Sequence, residues 1–133
     1  VVEQYIEANF ADFAGKEWER LCRRAVSGNE LYGVTWNVAS RWWGTIARDK
    51  QIELDVVAES IDKKSLLIGE CKWTKTENAS ELLENLKKRS KYFAYVKNHK
   101  VYYTLFLRHE PVDRMQENII LPQEVINDFG LYE

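Results

Sequence analysis

Hydrophobic residues recur along the chain with two different spacings, which predict an alternation of helices and strands. Helical spacing, with apolar residues three and four positions apart, is found over residues 1–10, 16–26 and 78–97. Strand-length runs rich in apolar, β-branched or aromatic residues lie at residues 34–44, 51–59, 65–73, 101–107 and 119–121. Pro122 then opens a last predicted helix, which extends to Phe129. The two spacings therefore predict an α/β domain.

The order of these elements also predicts how the layers are arranged. Residues 60–64 are polar and short, so the strands on either side are expected to form an antiparallel hairpin. The run 101–107 is apolar almost throughout, which is typical of a strand covered on both faces. We therefore predict a central mixed β-sheet of about four to five strands with helices on both faces. Polar and glycine positions near residue 13 divide the chain into an N-terminal helix or linker, residues 1–12, and a domain, residues 13–133.

Composition narrows the class of protein. The 133 residues are 45% hydrophobic and include only two Pro, which suits one folded domain. No apolar run reaches the roughly 18 residues that a membrane span needs, so we expect no membrane partner and a cytoplasmic location, with Cys22 and Cys71 as buried, reduced thiols. The formal charge of −2 excludes binding of nucleic acid by bulk positive charge. Because the chain begins with Val, we expect it to be a domain of a longer protein.

Charged residues inside the hydrophobic hairpin strands are the first candidates for chemistry. A turn centred on Asp62-Lys63 places Asp55 opposite Glu70 and Glu53 opposite Lys72. Because side chains alternate with a period of two, these four would share one face of the hairpin. Directly opposed residues have Cβ atoms about 4.5–5.5 Å apart, so the two carboxylates would repel each other unless a cation lies between them.

A divalent cation such as Mg²⁺ binds a few carboxylate oxygens together with water and phosphate oxygens. A lysine on the same face can orient an attacking water or neutralise charge in the transition state. The pattern therefore suits metal-dependent hydrolysis of phosphodiesters by Asp55, Glu70 and Lys72. The alternative is a solvated hairpin face that carries an ordinary cross-strand ion pair.

At this point the sequence resembles the PD-(D/E)xK nuclease superfamily, and more closely the uncharacterised C-terminal domain of prokaryotic DEXX-box, AAA-type ATPases. The resemblance is carried by Gly15-Lys16-Glu17-Trp18-Glu19-Arg20-Leu21-Cys22, Trp42-Trp43-Gly44, Ile52-Glu53-Leu54-Asp55-Val56-Val57-Ala58 and Gly69-Glu70-Cys71-Lys72-Trp73. It implies a restriction-endonuclease-like fold and DNA cleavage with Mg²⁺ or Mn²⁺. The sequence departs from the superfamily in having Leu54 rather than Pro before the motif aspartate.

The resemblance also implies roles for individual residues. Asp55 and Glu70 would be metal ligands and Lys72 the catalytic lysine. A glutamate of the first core helix would reach the metal, and the match places it at Glu19 rather than Glu17; an exposed Glu19 paired with Arg23 is the alternative. Glu53 would be an additional ligand or a partner of Lys72.

Basic residues are concentrated after the hairpin. Lys87, Lys88, Arg89 and Lys91 follow one another without an intervening acidic residue, and Lys75 comes directly after the motif strand. Such a face can follow the phosphates of a nucleic acid. It can equally be a solvated helix end whose lysines compensate the helix dipole.

Two functions are therefore in competition. The first is a metal-dependent DNA nuclease domain at the C-terminus of an ATPase, acting on duplex or branched DNA. The second is a catalytically silent nucleic-acid-binding or assembly module on the same scaffold. The chain lacks a phosphate-binding loop of the Gly-x-x-x-x-Gly-Lys-Ser/Thr type, so we expect no nucleotide to bind here and the ATPase domain to lie upstream. RNA as substrate and a homodimer as assembly both stay open.

Overall fold

A five-stranded sheet forms the centre of the protein, for which we use a computed structural model that describes residues 2–75, 78–111, 119–121 and 124–125. Its strands are β3 (Ser40–Ala47), β4 (Lys50–Glu59), β5 (Ser65–Lys72), β6 (Lys100–Leu107) and β7 (Ile119–Ile120), in that spatial order. The first three are antiparallel to one another, whereas β5, β6 and β7 run parallel. The predicted mixed sheet of an α/β fold is thus confirmed.

The helices α1 (Val2–Val26) and α2 (Ala79–Ser90) lie on opposite faces of this sheet. On the α1 face, Trp18 and Cys22 pack with Val56 and Phe106. A separate group of buried residues covers the α2 face: Leu54, Val57, Ile68, Ala79, Leu83, Leu86, Leu105, Leu107 and Ile119. Because both faces are covered, β5 is buried over almost its whole length, and so are the last four residues of β6.

The helix α1 is continuous, and the predicted break at Asp12 and Gly15 is wrong. A glycine inside a helix costs only about 1 kcal/mol relative to alanine, which the packing of Trp18 and its neighbours outweighs. The division of the chain at residue 12 does not coincide with the end of a helix. As a domain boundary it stays a prediction.

The helix α2 is shorter than the sequence pattern predicts. It begins after Asn78, whose side-chain oxygen accepts a hydrogen bond from the backbone N–H of Glu81, and it ends at Ser90. The Ser90 hydroxyl is bonded to the Lys87 carbonyl oxygen at 2.8 Å. Phe93 is extended and packs on Trp42, with ring centroids 5.0 Å apart, before a 3₁₀ helix over Ala94–Asn98. The predicted helix over residues 78–97 is therefore two helices.

The predicted strand over residues 34–44 is also divided. Its first residues form β2 (Val34–Thr35), which pairs with the preceding β1 (Glu30–Leu31) in a small hairpin, and β3 begins only at Ser40. The two residues of the hairpin turn, Tyr32 and Gly33, both have positive φ, as a type I′ turn requires. The predicted helix over residues 122–129 falls almost wholly outside the described residues.

Cys22 and Cys71 are free, buried thiols, as expected. Among the described residues, we find no helix that combines the length and apolar character required to cross a bilayer.

Candidate functional site

The hairpin of β4 and β5 has the predicted register. Val56 lies opposite Gly69 and Glu59 opposite Leu66, which a turn centred on Asp62-Lys63 requires. On the other side of β4, Ser40 pairs with Val57 and Trp42 with Leu54, so β4 has one residue more than β3 between these pairs. This is a β-bulge, and it contains Asp55. Bulges redirect side chains and commonly border active sites.

Three carboxyl groups meet at Asp55. The side chains of Glu19, from α1, and Glu70, from β5, both lie within hydrogen-bonding reach of the Asp55 carboxyl group. One Asp55 oxygen also accepts a hydrogen bond from the backbone N–H of Cys71 at 2.9 Å. The structure therefore brings together the three carboxylates that the sequence analysis selected. Glu17, the alternative to Glu19, is instead paired with Arg20 on the surface of α1.

This arrangement makes ionisation of the cluster costly. Burial, followed by repulsion from Asp55, raises the pKa of Glu70 from its ordinary value to about 7. The pKa of Glu19 is raised by the same two causes in the same order. Glu70 is buried, whereas Glu19 and Asp55 are half-buried. Acids whose pKa is raised by burial and by a neighbouring carboxylate are characteristic of functional sites.

Two arginines compensate part of this negative charge. The Arg89 guanidinium forms an ion pair with Glu70, and it also donates a hydrogen bond to the Glu53 carbonyl oxygen at 3.0 Å. Arg23 donates to the Asp55 carbonyl oxygen at 3.0 Å and lowers the pKa of Glu19. The sequence analysis paired Arg23 with Glu19 only in the alternative of an exposed glutamate, and it did not predict the bond from Arg23 to Asp55.

Lys72 follows Glu70 by two residues and is on the same side of β5. Both line one cavity, of about 470 Å³, together with Leu82, Asn85, Lys88 and Arg89 of α2. We call this the carboxylate cavity. The geometry thus places a carboxylate and an ammonium group beside an opening on the α2 face, as the proposed chemistry requires.

Glu53 does not lie where the hairpin register alone would place it. The pairing of β4 with β5 ends at Val56 and Gly69, and the bulge turns the preceding part of β4. Glu53 lies opposite Trp43 of β3, and its carboxylate forms an ion pair with Arg41 at 2.7 Å. The expectation that Glu53 faces Lys72 is therefore wrong. Glu53 shares a second cavity, of about 420 Å³, with Glu19 on the α1 side of the sheet.

Comparison with known proteins identifies the family. A profile of the DUF234 family, described as archaea bacterial proteins of unknown function, matches residues 1–83, which is more than half of the chain. The chain belongs to the DUF234 family. The predicted resemblance is confirmed to this extent, since DUF234 is a domain associated with DEXX-box ATPases. Searches among curated proteins and among solved structures gave no match.

The basic residues of this DUF234 domain have different surroundings. Lys87 lies over the ring of Tyr103, with the ammonium nitrogen 5.6 Å from the ring centroid, and Arg89 is engaged by Glu70. Lys75, Lys87, Lys88 and Lys91 are exposed. The row of cations seen in the sequence is therefore not uniform: Arg89 is paired with a carboxylate, whereas the exposed lysines can contact a phosphate.

The carboxylate oxygens of this site are of the kind that divalent cations bind. Glu19, Asp55 and Glu70 offer hard carboxylate oxygens, and a cation among them would relieve the repulsion that raises the pKa of Glu70. Among the described residues, however, no group of three or more His, Cys, Asp or Glu side chains is arranged so that it could hold a metal ion. Two of the oxygen donors are engaged elsewhere: Arg89 is bound to Glu70, and one Asp55 oxygen accepts a hydrogen bond from the Cys71 N–H.

Proposed function

We propose that this DUF234 domain hydrolyses phosphodiester bonds of DNA with the aid of Mg²⁺ or Mn²⁺. The observation that carries the proposal is the convergence of Glu19, Asp55 and Glu70 from three different elements, with Glu70 and Lys72 lining one cavity. Carboxylates held this close repel one another, and such arrangements are concentrated at functional sites. Metal-assisted hydrolysis would be a function that uses this arrangement.

The residues of the chain would divide the work as follows. Asp55, Glu70 and Glu19 hold the cation, which supplies charge for the phosphoryl oxygens and lowers the pKa of a bound water. Lys72, on the same face as Glu70, orients the attacking water and offsets negative charge that develops at phosphorus. Glu53 forms an ion pair with Arg41, whose charge also lowers the pKa of Glu19, so Glu53 would be a partner of the cluster rather than a metal ligand.

Contacts to the DNA backbone would come from the exposed lysines. Lys88 lines the carboxylate cavity, and Lys91 follows it at the end of α2. Positive side chains beside an acidic site attract phosphates without a net positive charge on the whole domain, which is consistent with the formal charge of −2.

One contact favours the rival function, a nucleic-acid-binding or assembly module without catalysis. The Arg89 guanidinium occupies Glu70 in the way that a fixed cation would, and a permanent ion pair there would make a metal unnecessary. In that case the lysines would bind DNA and the carboxylates would serve only the structure.

Cleavage and metal binding together decide between the two functions. The protein is incubated with single-stranded, duplex and branched DNA and with Mg²⁺ or Mn²⁺, and metal binding is measured by calorimetry. We expect Asp55→Asn and Glu70→Gln to abolish metal binding and to reduce cleavage at least about 100-fold, and Lys72→Ala to reduce cleavage similarly while metal still binds. Glu84→Gln, a change of an exposed glutamate of α2, is the matched control and should have no effect.

The opposite results are equally clear. Metal binding that is indifferent to both Asp55→Asn and Glu70→Gln would remove the metal site. Cleavage that survives Lys72→Ala would contradict the role of the lysine. Retention of DNA by the intact protein without cleavage at any metal concentration would establish the binding module instead.

A further inference from the structure

We propose that a second cavity beside the carboxylate cavity is a subsite for one unpaired nucleotide of a DNA strand. This cavity, of about 570 Å³, lies between the β3–β4 hairpin and the end of α2. It shares Lys88 and Arg89 with the carboxylate cavity, so the two cavities are adjacent along α2. We call it the tyrosine cavity, after Tyr92. The inference rests on the proposed function, because it assigns the structure of the substrate at the same site.

The tyrosine cavity is lined partly by apolar and aromatic side chains and partly by cationic ones. Ile46 and Ile52 provide an apolar wall, and Tyr92 is 57% exposed at the rim. The remaining lining residues are all cations: Lys50, Lys88, Arg89 and Lys91. Of the residues that the structure describes, no acidic one lines this cavity. Among the described residues, Lys50, Lys88 and Lys91 take part in no ion pair.

The two kinds of lining match the base and the phosphate of a nucleotide. An aromatic ring and an aliphatic wall accept the flat face of a base, while lysines around them accept the phosphates on either side. The volume lies within the range of about 300–1,000 Å³ that small-ligand cavities have, so it can admit one base rather than a helix. The alternative, a solvated helix end, accounts for the lysines. It does not account for the apolar wall or for the exposed ring of Tyr92 beside them.

The cavity therefore selects for unpaired DNA. In a duplex both faces of a base are covered by its neighbours, so a base cannot lie on Tyr92 unless it leaves the stack. A single strand or a single-stranded overhang meets no such cost. Its backbone would run from Tyr92 past Lys88 to Glu70 and Lys72, where the neighbouring phosphate would be cleaved.

Binding without cleavage tests this inference. Fluorescence anisotropy is measured with labelled single-stranded DNA, a blunt duplex of the same sequence and the duplex with an overhang, all in EDTA. We expect tighter binding of the single strand and the overhang than of the blunt duplex. Tyr92→Ala should weaken single-strand binding about tenfold or more and leave duplex binding unchanged, whereas Tyr92→Phe should retain binding because the ring is kept.

The matched controls are Tyr95→Ala and Lys64→Ala. Tyr95 is 60% exposed but does not line the tyrosine cavity, and Lys64 is an exposed lysine in the β4–β5 turn. Neither change should alter single-strand binding, whereas Lys91→Ala should weaken it and reduce its salt dependence.

The inference is overturned if Tyr92→Ala leaves single-strand binding unchanged, if the blunt duplex binds as tightly as the single strand, or if no DNA binds. Its failure is distinct from failure of the nuclease proposal. Binding that depends on Tyr92 in a protein that never cleaves DNA would support the subsite and refute the nuclease. Cleavage that is unchanged in Tyr92→Ala would support the nuclease and refute the subsite.

Discussion

Arg89 contacts the one carboxylate that the proposed metal site most needs. Its guanidinium is bound to Glu70, and it is held in place by the carbonyl oxygens of Glu53, at 3.0 Å, and Asn85, at 3.4 Å. A metal ion at Glu70 would share its ligand with this positive charge. Arg89 therefore both prepares Glu70, by lowering its pKa, and competes with the metal.

Removal of the Arg89 charge should strengthen metal binding. At about pH 8 we expect Arg89→Gln to lower the Kd for Mn²⁺ about five- to tenfold, since repulsion between two cations is removed. Lys88→Gln is the matched control, because Lys88 lines the same cavity but forms no ion pair among the described residues; it should change the Kd less than about twofold. Calorimetry checks both. Weaker binding by Arg89→Gln would show that Arg89 supports the ligand rather than competing for it.

The sequence could not reveal this contact. Arg89 belongs to a run of cations, and the run gives no sign that one member turns inward to a residue 19 positions earlier. Asp55, Glu70 and Glu19 could be selected because carboxylates inside apolar strands and a helix motif are visible in the sequence. Their partners depend on how α2 packs on the sheet, which is a tertiary property.

At the scale of the elements, two glycines of the motifs differ in how much space surrounds their Cα atoms. A Cβ atom on Gly69, in β5, would meet Val56 at 3.1 Å and the Phe106 ring at 2.9 Å. A Cβ atom on Gly15, inside α1, would lie 3.9 Å from the Cβ atom of Trp73, an ordinary contact. Gly69 is thus required by close packing behind Glu70, whereas Gly15 is not required by space.

Alanine substitutions at these glycines should therefore change stability in opposite directions. We expect Gly69→Ala to reduce the free energy of unfolding by about 1–3 kcal/mol through overpacking. Gly15→Ala should raise it by about 0.5–1 kcal/mol, because alanine is the better helix former. Urea denaturation measures both. If Gly69→Ala leaves the free energy of unfolding unchanged, Phe106 moves aside without cost. If Gly15→Ala lowers it, α1 is not helical at this position.

The same packing explains which elements the sequence predicts well. The register of β4 and β5 follows from the turn at Asp62-Lys63 and from a buried pattern that a slip of one residue would expose. The bulge at Asp55 has no such signal, so the position of Glu53 was wrong. The end of α2 at Ser90 was missed because Phe93 keeps the helical spacing while its ring packs on Trp42.

At the scale of the whole molecule, the carboxyl cluster makes stability depend on pH. Glu70 is faced by Asp55 from β4 and by Arg89 from α2, and its pKa is raised to about 7 by burial and then by Asp55. The folded protein therefore holds this proton more tightly than the unfolded chain, in which the pKa is 4.5. The stabilisation is complete below the unfolded pKa and is lost as the pH rises through about 7.

Between about pH 5 and pH 8, in EDTA, we expect the wild type to lose more unfolding free energy than Glu70→Gln, by at most about 3 kcal/mol, because each pKa unit corresponds to about 1.4 kcal/mol. Glu84→Gln should follow the wild type. Addition of Mg²⁺ at about pH 8 should restore part of the loss in the wild type but not in Asp55→Asn, since a cation that binds only the folded protein stabilises it. Urea denaturation at each pH measures these differences.

Identical pH profiles of the wild type and Glu70→Gln would mean that Glu70 ionises freely in the folded protein. The cluster would then carry no repulsion for a metal to relieve, and the physical reason for placing one there would be lost.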